Sequence, residues 1–258
     1  MRGLAAAFYA EALKARRSLV PWLVGAFATL PPVMLGLMMA IKKHPADAQR
    51  FGLLTEKSRL LVGSVDWPVF LALVGQTMGA MGAIAFAVLA SWVFGREFAD
   101  RTCRMILATP TRRSATVAAK MGVTAMWCLL LAAWMLTAAF AVGAVVGMPG
   151  LTWLVARDAL AVSGRAALLW LALLPVTALV ASVGRGYLLP IGVAIATMIV
   201  AQFVNATGWA PWFPWCVAMT SGTPGTQIAA ASVAIVILTG VLGFVVTLLW
   251  WERADQTV

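Results

Sequence analysis

Six long apolar windows without a charged residue constrain this 258-residue sequence more than any other feature. A helix needs roughly 20 residues to cross about 30 Å of hydrocarbon, which is close to the length of these windows. The chain is 62% hydrophobic and 11% charged, and this balance excludes a soluble globular domain. We therefore expect an all-α polytopic membrane protein with six transmembrane helices in a single domain over residues 1–258. The windows run approximately from Leu19 to Ile41, Val69 to Phe94, Met121 to Met148, Ala166 to Val183, Leu188 to Val204 and Ile228 to Trp251.

Basic residues are concentrated on one side of these windows. With the N-terminus inside, that side carries 12 of the 19 basic residues, and the positive-inside rule predicts that both termini are cytoplasmic. The net charge of +10 comes from residues that flank spans, where they contact anionic headgroups, so we exclude nucleic-acid binding. The cytoplasmic basic residues are Arg2, Lys14, Arg16, Arg17, Arg96, Arg101, Arg104, Arg112, Arg113, Lys120, Arg185 and Arg253.

Residues 1–18 show a weak amphipathic pattern. Four apolar residues share one helical face, and Glu11, Lys14 and Arg17 are turned away from it. The pattern predicts an amphipathic interfacial helix at the inner headgroups, and a frayed basic tail is the alternative. The apolar face consists of Leu4, Phe8, Ala12 and Ala15.

Groups that could carry chemistry inside the membrane are missing from the sequence. All nine acidic residues fall outside the six windows, and the single histidine, His44, lies in a predicted external loop. The chain has no Gly-x-x-x-x-Gly-Lys-[Ser/Thr] motif for nucleotide phosphates. We therefore expect a chain that is not an enzyme, has no catalytic or metal-binding residue and binds no cofactor of its own.

Two connecting segments have residue patterns that predict more structure than a simple turn. The external segment 205–227 contains three tryptophans and two prolines within residues 209–215, which indicates a short interfacial or re-entrant structure, or simple anchoring. In the cytoplasmic segment 95–120, Ile106 and Leu107 follow a charged stretch that predicts a short helix, and Pro110 would end it. The alternative is a basic loop that only enforces topology.

The cytoplasmic segment also resembles a known family. It reads Arg96-Glu97-Phe98-x-Asp100-x-Thr102-x-x-x-Ile106-Leu107-x-x-Pro110-x-Arg112-Arg113, and Lys120 opens the next span. This motif is similar to the loop between the second and third of six spans in ABC-2 type exporter permeases. An Arg-bearing turn after the fourth span and a Phe-Pro-Trp stretch before the sixth extend the resemblance along the chain.

The resemblance implies roles for individual residues. The stretch from Glu97 to Leu107 would be a coupling helix that inserts into a groove on a separate ATPase. Its apolar contacts would come from Phe98, Ile106 and Leu107; its charge pairs would come from Glu97, Asp100 and Arg101; and Thr102 would belong to the same surface. Residues that anchor the chain at the inner leaflet would be Arg16, Arg17, Arg112, Arg113 and Lys120.

The resemblance further implies partners, a substrate path and a location. Two copies of an ABC ATPase would bind ATP and Mg, and a second permease, identical or homologous, would complete the transporter in the cytoplasmic membrane of a bacterium. The cargo would be a small amphiphile or hydrophobic molecule such as an antibiotic, a peptide or a lipid, because a charge without a partner is costly inside the membrane. Residues of the second and fifth spans that would lie near its path are Gln76, Thr77, Met78, Gln202 and Asn205.

Three other classes of function compete with this interpretation. A stand-alone secondary transporter or channel would move its substrate without an ATPase, but the spans lack the usual ligands of coupling ions. A membrane-embedded enzyme would need paired catalytic groups, and a structural membrane protein would use the cytoplasmic loop to bind a partner other than an ATPase.

Overall fold

The computed structural model describes residues 2–44, 64–100, 102 and 112–253. Every regular element among these residues is helical. Six of the helices, α2 to α6 and α8, are long and apolar enough to cross a membrane, which confirms the predicted number of spans. The elements are α1 Arg2–Arg17, α2 Val20–Lys43, α3 Trp67–Ala99, α4 Arg113–Val146, α5 Trp153–Val183, α6 Leu188–Ala206, a 3-10 turn Ala210–Trp212, α7 Pro214–Thr220 and α8 Ala230–Arg253.

Two helices begin earlier than their apolar windows. Helix α4 begins at Arg113 instead of near Met121, and α5 begins at Trp153 instead of near Ala166. Charged residues interrupt an apolar window, but they do not interrupt the backbone hydrogen bonds of a helix. With 31 residues, α5 is about 46 Å long and extends beyond a hydrocarbon layer of about 30 Å.

Helix α3 lies at the centre of the bundle. It packs against α5 along most of its length, while α8 covers another face of α5 and α2 packs on α4. Of the apolar window of α3, 61% is buried, compared with 17% for α2 and 11% for α6. The two least covered spans therefore lie at the periphery of the chain.

Local sequence explains where the spans begin and turn. The side chain of Asp66 accepts a hydrogen bond from the amide of Val69 at 2.9 Å and caps the start of α3. The predicted tight turn between the fourth and fifth spans is confirmed, because α5 ends at Val183 and α6 begins at Leu188. Within this turn Arg185 has a left-handed backbone with φ of 48°.

The segment after α6 folds back into the bundle. Helix α7 packs among α3, α5, α6 and α8. Its residues Cys216, Val217 and Ala218 are buried, whereas Trp209 and Trp212, which precede it, are exposed. Whether residues 205–227 are interfacial, re-entrant or simply anchoring with respect to the membrane stays a prediction.

The helix termini lie at two ends of the bundle, which we call the α1 end and the opposite end. The α1 end contains α1, the last turns of α3, α5 and α8, and the first turns of α4. The opposite end contains the first turns of α3 and α5, the last turn of α4, and α7.

Candidate functional site at the α1 end

The segment that resembles a coupling loop joins α3 to α4 at the α1 end. Helix α3 continues to Ala99 and α4 begins at Arg113, so the connecting segment is 100–112 rather than 95–120. Glu97 and Phe98 belong to the last turn of α3, and the prediction of a separate helix that starts at Glu97 is wrong in this respect. Arg101 and residues 103–111, which include Ile106 and Leu107, lie outside the described residues.

Four charged side chains from three helices meet beside the helix ends that flank this segment. The ammonium Nζ of Lys120 lies 2.7 Å from Glu97 Oε1 and 3.3 Å from Glu11 Oε2. The Nζ of Lys14 lies 2.5 Å from Glu11 Oε1 and 3.2 Å from Glu97 Oε1. Lys120 also donates to the carbonyl oxygen of Val93 at 3.0 Å. We call Glu11, Lys14, Glu97 and Lys120 the ion cluster.

The ion cluster is enclosed by the protein. Lys120 is 0% exposed, Glu97 1% and Glu11 6%, while Lys14 is half-buried. Two carboxylates and two ammonium groups balance each other, which makes their burial tolerable. Glu97 Oε2 is buried without a hydrogen-bond partner among the described residues. Removal of one member would leave an opposite charge buried and uncompensated, so the cluster ties α1, α3 and α4 to one another.

Electrostatics favour the charged form of Glu11. Its burial acts to raise the pKa of the carboxyl, but the positive charges of Lys120 and Lys14, with a contribution from Arg96, outweigh that effect. The pKa of Glu11 is therefore lowered from its ordinary value of 4.5. This direction agrees with a carboxylate that holds two ammonium groups.

The ion cluster corrects two sequence-based roles. Glu97 was expected to pair with charges on an ATPase, but its carboxylate is enclosed within the chain. Lys120 was expected to anchor the chain at the inner leaflet, but its ammonium group is buried between α3 and α4. Both charges are withdrawn from the surface because each finds an opposite charge on a neighbouring helix.

Helix α1 packs on the bundle with a face that includes Glu11. Glu11 and Ala15 are buried against the protein, whereas Leu4 and Phe8 are exposed. The expectation that Glu11 is turned away is wrong, because its two ammonium partners lie in the contact between α1 and the bundle. The exposed apolar side chains leave α1 with a face suited to lipid.

A second set of contacts holds the last turns of α8 against both flanks of the 100–112 segment. The ring of Phe98 packs on Trp250 and Trp251, with centroid distances of 6.0 and 5.8 Å. On the other flank, Arg113 Nη1 donates to the carbonyl oxygens of Trp251 at 3.2 Å and Glu252 at 3.4 Å. The segment thus begins and ends at positions fixed to α8, and one of them is next to the ion cluster.

Several predicted contact and anchoring residues do lie at the surface of the α1 end. Thr102 is half-buried, and its amide donates to the carbonyl oxygen of Glu97 at 2.9 Å. The exposed residues are Asp100, Arg16, Arg17, Arg112 and Arg113. For them, contact with an ATPase or with headgroups stays a prediction.

The predicted substrate-path residues do not form one group in this chain. Met78 is buried in the core between α2, α3 and α4, which corrects its expected place beside an open path. Thr77 is half-buried and donates to the carbonyl oxygen of Leu73 at 2.8 Å. The other members, Gln76 on α3 and Gln202 and Asn205 on α6, are exposed.

Sequence reasoning missed Glu11 and Lys14 as site residues. The spacing of three between them on one helix face was a local signal for an ion pair. Their link to the spans was hidden, because Glu11 and Lys120 are 109 residues apart. The remaining signal was two opposite charges, Glu97 and Lys120, placed at the ends of neighbouring apolar windows.

Comparison with protein families agrees with this architecture. A family model described as ABC-2 family transporter protein matches residues 7–202. The match covers most of α1, all of the ion cluster and the chain up to the last turns of α6. No curated protein matches the sequence. With three quarters of its length matched and six membrane-spanning helices, the chain belongs to the ABC-2 transporter family, as a membrane-spanning permease.

Proposed function

We propose that this chain is the membrane-spanning subunit of an ATP-driven exporter and that residues 100–112 bind a separate ABC ATPase. The observation that carries the proposal is the family match, which includes this segment and both helices that flank it. In the proposal, two ATPase subunits bind ATP and Mg, and a second permease, identical or homologous, completes the membrane part. The complex lies in the plasma membrane of a bacterium with both termini in the cytoplasm.

The contacts at the α1 end support two different roles within the proposed docking region: direct contact with the ATPase and positioning of the segment. Asp100 and Arg112 are exposed and can contact the ATPase directly. Glu97 and Phe98 are positioning residues, because the first pairs with Lys120 and the second packs on Trp251. A displacement of the segment would therefore move α1, α4 and α8 together.

In the proposed transport cycle, the buried charge pairs would carry movement of the 100–112 segment to the membrane helices. Closure of two ATP-bound subunits would push the 100–112 segment of each permease, and the buried charge pairs would transmit that push to the helices they join. Buried pairs suit this role because separating them leaves uncompensated charges in a low dielectric. The helices then switch a path between inward and outward access.

The proposed cargo is a hydrophobic or amphiphilic molecule. In each of the six spans, the most apolar window carries no more than two charged residues. A strongly charged cargo would lack compensating charges at that depth. An antibiotic, a peptide or a lipid-like molecule fits such a path, and outward transport is part of the proposal.

The test is affinity purification of the tagged full chain from its native host in mild detergent, followed by mass spectrometry and an ATPase assay. The proposal expects a stoichiometric partner with a nucleotide-binding motif. Asp100→Lys should lower its recovery, while Asp158→Lys, which changes an exposed carboxylate at the opposite end, should not. Recovery of the chain without any ATPase, together with transport in vesicles that lack one, would replace the proposal by a stand-alone transporter.

A further inference from the structure

An apolar groove runs between α5 and α8 at the opposite end from the ion cluster. Its volume is about 920 Å³, and it opens at the side of the bundle. The walls are formed mainly by Leu168 and Ala172 on α5 and by Val233 and Ile237 on α8. A Cβ atom added at Gly164, which also lines the groove, would meet no atom within 4 Å, so this part of the groove is open space.

One cation, Arg165, lines this groove on α5 between Leu160 and Leu168. The guanidinium of Arg165 donates from Nε and Nη2 to the carbonyl oxygen of Ser221, at 3.1 and 2.7 Å. It also donates from Nη2 to the carbonyl oxygen of Thr223 and from Nη1 to that of Thr226. These bonds fix the direction of the half-buried side chain, and all four acceptors are uncharged carbonyl oxygens.

The positive charge of Arg165 has no acidic counterpart among the described residues. The described carboxylates of this end are engaged elsewhere: Asp158 pairs with Arg157 at 3.1 Å, and Asp66 caps α3. Among the described residues, a half-buried guanidinium therefore lines an apolar groove without a carboxylate beside it. An anion placed there would gain a charge-assisted hydrogen bond in a partly water-excluded site.

The depth of Arg165 matches the headgroup level of one leaflet. Eighteen residues separate it from Val183 at the α1 end of the same helix, which corresponds to about 27 Å. This distance is close to the hydrocarbon thickness of about 30 Å. From Arg165 the groove passes Leu168 and Ala172 towards the middle of the membrane. The positive charge of Arg165 thus lies at the depth of a lipid headgroup, and the apolar groove extends from it to the depth of the acyl chains.

We propose that this groove binds an anionic phospholipid, with the phosphate on Arg165 and an acyl chain between α5 and α8. Four of the five N–H donors of Arg165 bind carbonyl oxygens, and the remaining N–H of Nη1 can donate to a phosphate oxygen beside the positive charge. The bound lipid would connect α5, α8 and the segment that follows α7. This inference does not rest on the proposed transport function.

The test is native mass spectrometry of the full chain in detergent, titrated with dioleoyl phosphatidylglycerol. Dioleoylglycerol serves as the ligand with chains but no phosphate, and glycerol phosphate as the ligand with phosphate but no chains. We expect the phospholipid to bind at least about tenfold more tightly than either, as loss of a charge-assisted hydrogen bond or of apolar burial requires.

Gly164→Phe fills the groove, and Gly192→Phe is its matched control, because a Cβ at Gly192 on α6 also meets no atom within 4 Å. We expect Gly164→Phe to weaken phosphatidylglycerol binding by at least about tenfold and Gly192→Phe to leave it unchanged. Arg165→Gln should remove the preference for phosphatidylglycerol over dioleoylglycerol. Equal binding by wild type and both glycine variants would overturn the proposal. So would a change of oligomeric mass in Gly164→Phe alone, which would show that a second protein chain occupies the groove.

Discussion

The two ends of the bundle hold their connecting segments by different means. At the α1 end, Lys120 is buried between two carboxylates, and the 100–112 segment starts beside them. At the opposite end, Lys43 donates to the carbonyl oxygens of Val146 and Gly147, both at 2.8 Å, and Arg165 likewise donates to main-chain oxygens. The two lysines of the ion cluster therefore meet buried carboxylates, whereas Lys43 and Arg165 meet helix or loop carbonyls, as Arg113 does at the α1 end.

The two kinds of cation partner, side-chain carboxylates and backbone carbonyls, connect different numbers of helices. At the opposite end, Lys43 and Arg165 each join their own helix to one neighbouring segment through carbonyl oxygens. Side-chain carboxylates belong to separate helices, and a cation between them makes three helices respond to one displacement. In the proposed transport cycle, force would be transmitted at the α1 end, and the opposite end would stay packed.

The largest difference is expected when the same substitution is made at both ends. Lys120→Met leaves Glu11 and Glu97 with only half-buried Lys14, and we expect it to lower the free energy of unfolding by about 3–5 kcal/mol. Lys43→Met removes an exposed donor to two carbonyl oxygens, and about 1 kcal/mol is expected. Unfolding of both variants in a titration with sodium dodecyl sulfate measures the contrast. Equal losses would remove the distinction between the two ends.

Backbone packing at the opposite end should respond to a single methyl group. A Cβ on Gly222 would collide with the carbonyl oxygen of Gly75 and lie 2.8 Å from the amide nitrogen of Gly79. We expect Gly222→Ala to destabilise the protein by about 1–3 kcal/mol, because helix backbone cannot move aside as a flexible side chain can. Gly192→Ala, with open space around its new methyl group, should be neutral or slightly stabilising. The same detergent titration measures both variants. An unchanged free energy of unfolding in Gly222→Ala would contradict the close approach of α3 to this segment.

A neutral hydrogen bond at the α1 end should contribute less than the ion cluster. Trp251 Nε1 donates to Ser182 Oγ at 3.0 Å, and this bond joins the last turns of α8 and α5. Trp251→Phe keeps most of the apolar contact and removes the donor, so we expect a loss of about 1 kcal/mol in the free energy of unfolding. A loss as large as that of Lys120→Met would show that aromatic packing, and not charge, dominates this end.

The smallest effect concerns pH. The folded-state pKa of Glu11 lies below its ordinary value of 4.5, so its contribution is fully present above that value and declines as the pH falls through the folded-state pKa. Between pH 8 and 5 the contribution of Glu11 should therefore be constant. Unfolding titrations from pH 8 to 3 should show a decline in stability below 4.5 that is weaker in Glu11→Gln. A decline that is identical in this variant would assign the acid sensitivity to other groups.

The sequence allowed the spans and their order to be predicted, because apolar windows and a Gly-Arg-Gly turn are local features. It misplaced the starts of α4 and α5, since a helix continues through charged residues such as Arg157 and Asp158 once it leaves the hydrocarbon. Hydropathy reports where the membrane ends, and backbone hydrogen bonding decides where the helix ends.

The location of the candidate site in the chain stays a prediction, but the structure changes two roles within it. Glu97 and Lys120 are both charged residues at the ends of apolar windows, and each was assigned a partner outside the chain. Their partners are in fact each other and residues of α1, at separations of 23 to 109 positions. Local patterns do not report such contacts, because they depend on how the helices pack.

The most direct test of the central claim is the ATP hydrolysis rate of the purified complex in lipid nanodiscs, measured with wild type and Glu97→Gln. Glutamine keeps the shape of the side chain and removes its charge pair with Lys120. If Glu97 positions the docking segment without contacting the ATPase, the partner should still co-purify in full while its stimulated hydrolysis falls. Loss of the partner with Glu97→Gln, or full recovery with unchanged hydrolysis, would contradict a positioning role for the ion cluster.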